Sequence, residues 1–345
     1  MGLRGEASIV GLEMDTGVIR AVELKGRDGR AKVVAAGREE LPEGAVVQGL
    51  VEDVDAVGSA LERLWRKARF NSRDVVLGSF NQGVLMRLIN FPKVPEDKLA
   101  QALRLQAGDY FPIPLSQMVL DFAVVGEVEN NEMESSYEVL LVAAKKAQLD
   151  KCLTALRYSR LRAKVIDASP LALMRTLPQE KIADTVILVD ICNGQSSLLM
   201  VSKGVPRFAR FVPVSLQQYL DGLGLSLFEA EAGVQDRDFV AVGKENSDSS
   251  LLKKWVMDLA GEIRSSVGYV SKQENWDEVK MLMLSGRGAR VEGLAGMLED
   301  ELAVPVEIVD PLKNVTLAGS RGVDWELDGT DFAVSIGLAL RGLEV

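Results

Sequence analysis

Residues 186–204 read VILVDICNGQSSLLMVSKG, two apolar runs on either side of an Asn-Gly pair. The first run, residues 186–191, predicts a buried strand, and residues 198–201 predict the strand that returns. Asn-Gly between two apolar runs is the strongest short-range signal for a hairpin, because both residues tolerate a positive φ. Asp190 lies inside the first run, where an unpaired buried carboxylate would be costly. We therefore expect Asp190 either to be hydrogen-bonded at the turn or to face a ligand or a metal.

The same design occurs near the start of the chain, where residues 8–25 read SIVGLEMDTGVIRAVELK. A strand that carries an acid, Glu13, is followed by a turn at Thr16-Gly17 and by a returning strand over residues 19–24. Two such hairpins, far apart in one chain, predict two related halves that face each other across a cleft.

Composition limits the classes of function. The chain has 345 residues, enough for two domains, and its 47% hydrophobic and 26% charged residues are typical of a soluble globular protein. The net charge of −10 argues against a nucleic-acid partner. The absence of histidine excludes His-activated nucleophiles and most zinc sites. Cys152 and Cys192 are the only cysteines, which indicates a reducing compartment without a disulfide framework.

No apolar run approaches the length of about 20 residues that a membrane span needs, and no signal peptide precedes the first strand. We therefore expect a cytoplasmic protein that does not insert into a membrane directly. Lys145-Lys146 and residues 157–164 are basic clusters in this acidic chain. Two interpretations stay open for them: solvated helix faces, or contacts with lipid headgroups or an acidic partner.

The pattern of elements divides the chain into three parts. Residues 1–90 plus 165–182 are predicted to form a first half, and residues 183–345 a second half with a helical part at about residues 215–278. Residues 91–164 are predicted to form a small α+β subdomain inserted in the first half. Asp53 is the expected N-cap of the first helix, and residues 313–329 are expected to form an ordered loop. The helical period predicts helices over residues 54–68, 96–110, 148–159, 170–177, 216–223, 227–232, 250–272, 294–302 and 331–340.

This order, a hairpin with an acid, an inserted subdomain, a second hairpin with an acid and then strand–glycines–helix, resembles the two-half α/β fold of the actin-like ATPases (ribonuclease H-like). Within that fold the chain is similar to the type IV pilus assembly protein PilM family, which is related to FtsA. FtsA normally ends in a linker and an amphipathic membrane helix, and the end of this chain after its closing helix favours the PilM family. The similarity covers nearly the whole chain and is most specific in FPKVPEDKLAQALRLQAGDYFPIPLSQMVLDFAVV (91–125), VLLVAAKKAQLDKCLTALRYSRLRAKVIDASPLALMR (139–175), LSGRGARVEGLAGMLEDELAVPVEIVDP (284–311) and FAVSIGLALRG (332–342).

The resemblance implies a nucleotide site in the cleft. In the family the two hairpins hold the phosphates, a late glycine stretch approaches the adenosine, and the two acids hold Mg²⁺, usually through water. Carried over to this chain, the Mg²⁺ acids would be Glu13 and Asp190, and no catalytic residue is assigned. The full set of cofactor-binding candidates would be Glu13, Thr16, Gly17, Asp190, Asn193, Gly194, Ser196, Gly286 and Gly288.

Departures from the family pattern cluster in that same site. Asp15 replaces the glycine beside the phosphates, where like charges about 4 Å apart repel by roughly 4 kcal/mol at an effective dielectric near 20. Cys192 replaces a second glycine, at a cost of about 1–2 kcal/mol if that position has a positive φ. Val214-Ser215 replaces a glycine pair, and Gly233-Val234 stands where a lysine is expected. Arg287 interrupts the late glycines; it would either contact phosphate or, as we expect, point to solvent. We therefore expect the ATP/Mg²⁺ site to be weakened or lost, hydrolysis first of all.

The resemblance also implies a partner. PilM-like proteins capture the cytoplasmic N-terminal tail of PilN, a bitopic inner-membrane protein, in a groove between the inserted subdomain and the first half. Candidate contacts are Leu99, Leu103, Tyr110, Phe111 and Ile113. The simpler alternative is that residues 110–114, YFPIP, are a helix stop whose aromatic side chains lie in the core.

We therefore expect a cytoplasmic actin-like scaffold of a type IV pilus or related type II secretion platform, peripheral to the inner membrane through its partner. The assembly motor ATPase is a second candidate partner. One alternative is an ATP-dependent switch or ATPase of the same machine, in which ATP closes the cleft. Another is a cytoskeletal filament protein like FtsA.

Overall fold

A computed structural model describes residues 7–27, 30–129, 135–225, 249–272, 276–318 and 323–344. Strands and helices within these residues are numbered in chain order. The strands are β1 Ala7–Asp15, β2 Val18–Arg27, β3 Arg30–Glu40, β4 Val46–Val47, β5 Leu50–Val51, β6 Asp74–Ser79, β7 Val84–Pro92, β8 Met118–Glu129, β9 Ser135–Lys145, β10 Arg162–Ala168, β11 Val186–Ile191, β12 Ser196–Ser202, β13 Val205–Val212, β14 Met281–Ser285, β15 Val306–Ile308 and β16 Val315–Leu317. The helices are α1 Val54–Ala68, α2 Glu96–Tyr110, α3 Lys146–Tyr158, α4 Ser169–Met174, α5 Gln179–Ile182, α6 Leu216–Gly222, α7 Ser249–Val270, α8 Leu294–Leu302, α9 Trp325–Asp328 and α10 Ala333–Glu344.

The first half is a six-stranded sheet in the order β10-β6-β1-β2-β3-β16. The β1–β2 hairpin turns between Asp15 and Val18, and Gly17 at φ 77° supplies the left-handed residue of the turn. Helix α1 begins where the side chain of Asp53 accepts hydrogen bonds from two backbone N–H groups, which confirms the predicted N-cap. Its buried face packs on β1, β2 and β6 to form the core of this half.

The second half is a five-stranded sheet in the order β13-β12-β11-β14-β15. All six residues of β11 are buried, as the continuous apolar run predicts for a central strand. The β11–β12 turn lies at Asn193-Gly194, but neither residue has a positive φ, so the expected turn geometry is wrong. Cys192 also lacks a positive φ, and the backbone strain considered for it does not arise. Helices α6, α7 and α8 cover one face of this sheet.

The inserted subdomain is a three-stranded sheet, β7-β9-β8, with α2 packed on one face. Strand β7 crosses the boundary expected between residues 90 and 91, because its partner is β9 and not a strand of the first sheet. Helix α3 was expected in this subdomain, yet Cys152, Ala155 and Leu156 place it against α1 in the core of the first half. The inserted unit therefore consists of β7, α2, β8 and β9.

The C-terminal segment returns to the first half, which corrects the expectation that residues 183–345 all belong to the second. Strand β16 pairs with β3 at the edge of the first sheet, and α10 packs across β1 and β2. The expected loop at residues 313–329 therefore contains β16 and α9 among its described residues. The helix expected at residues 227–232 and the lysine position at 233–234 lie outside the described residues.

Among the residues that the structure describes, no helix combines the length and the apolar composition needed to cross a membrane.

Candidate functional site

The tips of the two hairpins touch directly. The side-chain amide of Asn193 donates to the backbone oxygen of Thr16 at 3.0 Å, and the hydroxyl of Thr16 accepts from the backbone N–H of Gln48 at 3.1 Å. A Cβ at Gly194 would lie 1.9 Å from the Thr16 hydroxyl. Gly194 is therefore needed because the hairpins approach so closely, and not for a special backbone conformation.

The carboxylate of Asp15 lies between the hairpins and is 3% exposed. It accepts hydrogen bonds from the backbone N–H groups of Thr16 at 2.7 Å, Asn193 at 2.9 Å and Gly194 at 3.4 Å. Successive N–H groups that converge on one point form a site for an anion. In this protein the anion is the chain's own side chain, so Asp15 does not face a ligand across the cleft but joins the two halves.

Arg20 is the cation at the centre of the site and is 2% exposed. Its guanidinium lies 3.2 Å from the carboxylate of Asp15, 3.6 Å from that of Glu13 and 3.9 Å from that of Asp331. Burial lowers the pKa of Arg20, but the three carboxylates, Asp331 foremost, raise it to above its ordinary value. Arg20 therefore stays charged and offsets part of the negative charge buried here.

Arg20 was missed by the sequence reasoning, although a signal was present. In the β1–β2 register Glu13 lies directly opposite Arg20, and an Asp15–Val18 turn fixes that register. A buried acid facing an arginine across a predicted hairpin indicates an ion pair.

The two predicted magnesium ligands do lie close together, with Cys192 as a third group. The ligand atoms of Glu13, Asp190 and Cys192 are all within 4.8 Å of one another. The thiol of Cys192 donates to Asp190 at 3.0 Å and lies 4.0 Å from Glu13. A thiol suits a softer metal than Mg²⁺, which prefers oxygen ligands in an octahedron. This donor set therefore fits Mg²⁺ poorly.

Burial dominates the protonation of these three groups. It raises the pKa of Glu13 well above its ordinary value, although Arg20 lowers it. It raises the pKa of Asp190 to about 6, although the Cys192 thiol and Arg20 oppose the shift. Burial, followed by the charge of Asp190, also raises the pKa of the Cys192 thiol. Cys192 is thus a hydrogen-bond donor here and not a reactive thiolate.

Replacing Asp190 with asparagine is expected to stabilise the protein at about pH 8 and to have little effect near pH 4. The folded-state pKa of Asp190 is raised, so the folded protein holds this proton more tightly than the unfolded chain, and stability falls as the pH rises from about 4 through about 6. Asp190→Asn removes that penalty, about 1–3 kcal/mol at the higher pH. Urea unfolding at both pH values measures the free energy of unfolding of each protein. The free energy of the exposed control Asp221→Asn should change with pH as that of the parent does. The same pH dependence in Asp190→Asn and in the parent would contradict the prediction.

The late glycines pack against the second hairpin. Gly286 has φ 80°, and a Cβ there would meet the backbone oxygen of Ile191 at 2.6 Å and a carboxylate oxygen of Asp190 at 2.8 Å. A Cβ at Gly288 would lie 2.3 Å from the side chain of Ile191. Close packing therefore already requires both glycines. Arg287 is buried at 4% exposure, so the expectation that it points to solvent is wrong.

Ser196 was expected at the nucleotide, but its hydroxyl donates to the backbone oxygen of Val214. What remains between the hairpins is a cavity of about 30 Å³ that Glu13, Asp15, Asp190 and Gln195 help to line. That is room for about one water molecule, whereas pockets for ligands of nucleotide size hold roughly 300–1,000 Å³. The Asp15 carboxylate therefore already occupies the anion-binding N–H groups beside this small cavity.

The predicted partner-groove residues lie in the core of the inserted subdomain. Leu99, Leu103, Phe111 and Ile113 are at most 6% exposed, and Tyr110 is partly buried beside them. Helix α2 turns this face onto the sheet, so the first four cannot contact a partner on the surface. The simpler interpretation, a helix stop with its aromatic residues in the core, describes this stretch.

An apolar groove does exist on the other face of the inserted sheet. Its volume is about 410 Å³, and it lies between that sheet, α4 and the segment after α4. Arg175, Asn314 and Glu344 supply polar groups at its margin. The apolar lining comes from Ala123, Val125, Leu140, Leu171, Met174, Leu177, Pro178, Ile182 and Pro206.

Comparison with known proteins identifies one family that the chain resembles along nearly its whole length. The family model described as type IV pilus assembly protein PilM matches residues 11–343. A solved structure described as a PilM-PilN type IV pilus biogenesis complex is 27% identical, covers 98% of this chain and 99% of its own, and superposes with a TM-score of 0.83.

Two more distant structures share the fold alone. The ethanolamine utilization protein EutJ from Carboxydothermus hydrogenoformans is 14% identical, with coverage of 97% and 89% and a TM-score of 0.58. MreB5 of Spiroplasma citri bound to ADP is 10% identical, with coverage of 96% and 95% and a TM-score of 0.51. The actin-like fold expected from the two hairpins is thereby confirmed.

Proposed function

Because the chain belongs to the type IV pilus assembly protein PilM family, we propose that it is an actin-like scaffold of the pilus inner-membrane assembly platform. Its groove holds the cytoplasmic N-terminal tail of a PilN-like membrane protein, and its nucleotide cleft is closed by its own Asp15. The protein works in the cytoplasm, peripheral to the inner membrane through this partner. The assembly motor ATPase of the same machine, or of a related type II secretion system, is the second partner.

The observation that carries the scaffold proposal is the position of the Asp15 carboxylate. It satisfies three backbone N–H groups from both hairpins and pairs with Arg20, so a side chain of the protein itself joins the two halves. A switch driven by nucleotide must bind it differently in two states. Here the groups suited to a phosphate already have an internal partner, which supports a permanent role in assembly over a cycle of binding and hydrolysis.

The groove supports the partner proposal. It lies between the inserted subdomain and the first half. The solved relative is described as a complex with PilN, and we assign the tail of a PilN-like protein to this groove. Strand β8 is an edge of the inserted sheet, so its free backbone groups can pair with an extended peptide. Alternate apolar side chains of such a peptide would fill the space beside Ala123 and Val125. Arg175 and Glu344 at the margin are placed to meet its polar groups.

The test is to fill the groove. Ala123→Arg places a long charged side chain where an exposed alanine lines the groove, so we expect binding of a PilN-like N-terminal peptide to weaken about tenfold or more. The matched control is Val124→Arg: Val124 is 45% exposed and alternates to the opposite face of β8. Fluorescence anisotropy of a labelled peptide measures both. Equal affinities for the two variants, or no peptide binding by the parent chain, would contradict the groove assignment.

A second function, an ATP-dependent switch, is favoured by one observation: the converging N–H groups of Thr16, Asn193 and Gly194 are an anion site that Asp15 fills only while the hairpins stay together. Micromolar binding of MgATP to the parent chain, abolished by Asp190→Ala, would decide for the switch. Absence of binding in a protein that still captures the peptide would decide for the scaffold.

A further inference from the structure

One end of the first half carries a concentration of positive charge that the proposed function does not use. Within the described residues, this basic end comprises the loop after α1, the end of α3 and the start of β10. Its exposed residues are Arg69, Arg73, Arg157, Arg160, Arg162 and Lys164. The whole chain has a net charge of −10, so this end opposes the average charge of the molecule.

Hydrogen bonds and ion pairs join these segments into one surface. The guanidinium of Arg73 donates to the backbone oxygen of Ser159 at 3.3 Å, and the backbone N–H of Arg162 donates to the backbone oxygen of Arg73 at 2.9 Å. Asp74 pairs with Arg162 at 2.6 Å and with Lys164 at 3.5 Å. Buried Glu23 is a second acid at this end, because its carboxylate accepts hydrogen bonds from the backbone N–H groups of Asn71 and Ser72. Among the described residues named here, six basic side chains against these two acids leave a positive excess.

Two of the arginines occupy backbone positions that favour glycine. Arg69 ends α1 at φ 58°, and Arg160 follows α3 at φ 58°. Glycine is the usual residue in this left-handed conformation after a helix, because a side chain is strained there. Neither arginine makes an ion pair with a described residue. Both surface positions carry arginine although its side chain strains the backbone there. This indicates that the two arginine side chains have a function of their own.

The position of the basic end fits a role beside the groove. Strand β10 starts at this end and leads, after seven residues, into α4, whose Leu171 and Met174 line the groove. Seven residues of strand span about 23 Å. A protein that holds the tail of a membrane protein in the groove would therefore have the basic end within reach of the same membrane.

We propose that the basic end rests on the anionic headgroups of the inner-membrane surface and orients the protein there by electrostatic contact without insertion. The proposal rests on the proposed function only in placing the protein at that membrane. Each Lys or Arg close to an anionic bilayer contributes about 1 kcal/mol, an attraction that falls off within a Debye length. The rest of the chain carries a net negative charge, which anionic headgroups repel.

The test uses the double variant Arg69→Gly/Arg160→Gly. Glycine suits both left-handed positions, so the variant should unfold at or above the parent's temperature while it loses two charges. The matched control is Lys203→Gly/Lys280→Gln in the second half: Lys203 has φ 54° in the same left-handed region, and two charges are again removed. Sedimentation of the full chain with vesicles of phosphatidylcholine containing about 30% phosphatidylglycerol measures binding.

We expect the parent and the control to bind these vesicles and not to bind vesicles of pure phosphatidylcholine. Both should dissociate from the anionic vesicles as the salt concentration rises from about 0.05 M to about 0.5 M. Loss of two arginines should weaken binding about 10- to 30-fold. Absence of parent binding, equal loss in the control, or equal binding to neutral vesicles would overturn the proposal. So would retention by an acidic protein or a nucleic acid in place of the vesicles. The anisotropy assay with the tail peptide should not change in the double variant, which separates this outcome from failure of the groove assignment.

Discussion

The Asp15→Gly variant is expected to bind inorganic phosphate, and the parent chain is expected not to bind it. The substitution removes the shared acceptor of the N–H groups of Thr16, Asn193 and Gly194 and frees one face of the Arg20 guanidinium. The hairpins then stay in contact through the Asn193 amide and the Thr16 backbone oxygen. An anion site with a charged partner is left without its anion, and a phosphate is the ligand that suits it.

The expected gain is large because an attraction replaces a repulsion. A carboxylate about 4 Å from a phosphate costs roughly 4 kcal/mol at an effective dielectric near 20, which corresponds to about a thousandfold in affinity. We expect no heat of binding for the parent and a dissociation constant below about 1 mM for Asp15→Gly. Titration calorimetry of protein freed of carried-over nucleotide, with phosphate, MgADP and MgATP, measures this.

Asp15→Asn separates charge from space. The amide keeps the shape of the carboxylate but can accept from only one side, so it should weaken the contact between the hairpins without making room for phosphate. A folded Asp15→Gly protein with no affinity for phosphate would show that something other than Asp15 closes the cleft. Tight nucleotide binding by the parent would show that the hairpins separate readily, and would favour the switch over the scaffold.

Local sequence patterns predicted most elements of this fold, since each depends on neighbours in the chain. The helices at 96–110 and 294–302 have the expected bounds, because prolines or glycines flank a clear helical period. Strand β16 was missed because three residues carry no period, and its pairing with β3 spans nearly the whole chain. The return of α10 to the first sheet was not predicted either, because its partners there are equally far away in the sequence. This packing depends on close contacts at Gly11 and Gly337.

The site was less predictable, because its chemistry depends on which atom fills a space. The sequence marks Asp15 as an acid where a phosphate would lie, and from that we expected repulsion of a ligand. In the structure the same charge is attractive and not repulsive, because the Asp15 carboxylate itself accepts hydrogen bonds from the backbone N–H groups. The amphipathic pattern of α2 likewise does not show what its apolar face packs against. In the structure, Leu103 and Phe111 pack on the inserted sheet and do not face a partner.

Arg20→Met is expected to lower the free energy of unfolding by about 3–5 kcal/mol, the usual result of removing one member of a buried ion pair. Methionine replaces the volume of arginine, so little cavity is created. What is lost is the positive charge between Asp15, Glu13 and Asp331, each of which is buried. The contact between the hairpins should weaken as well, because the Asp15 carboxylate would then have only backbone N–H partners.

The loss should be smaller near pH 5 than near pH 8, because the raised pKa of Glu13, which Arg20 now holds down, would rise further in the variant. A group whose folded-state pKa is raised costs stability as the pH rises, so the two unfolding curves should diverge with pH. Arg210→Met is the matched control: Arg210 pairs with Glu262 at the surface of the second half, both about one-third exposed, and such a pair is worth about 0–1 kcal/mol. Equal losses for Arg20→Met and Arg210→Met would mean that the buried acids are already neutral. The hairpins would then be held together by hydrogen bonds alone, and Arg20 would have no special part in closing the cleft.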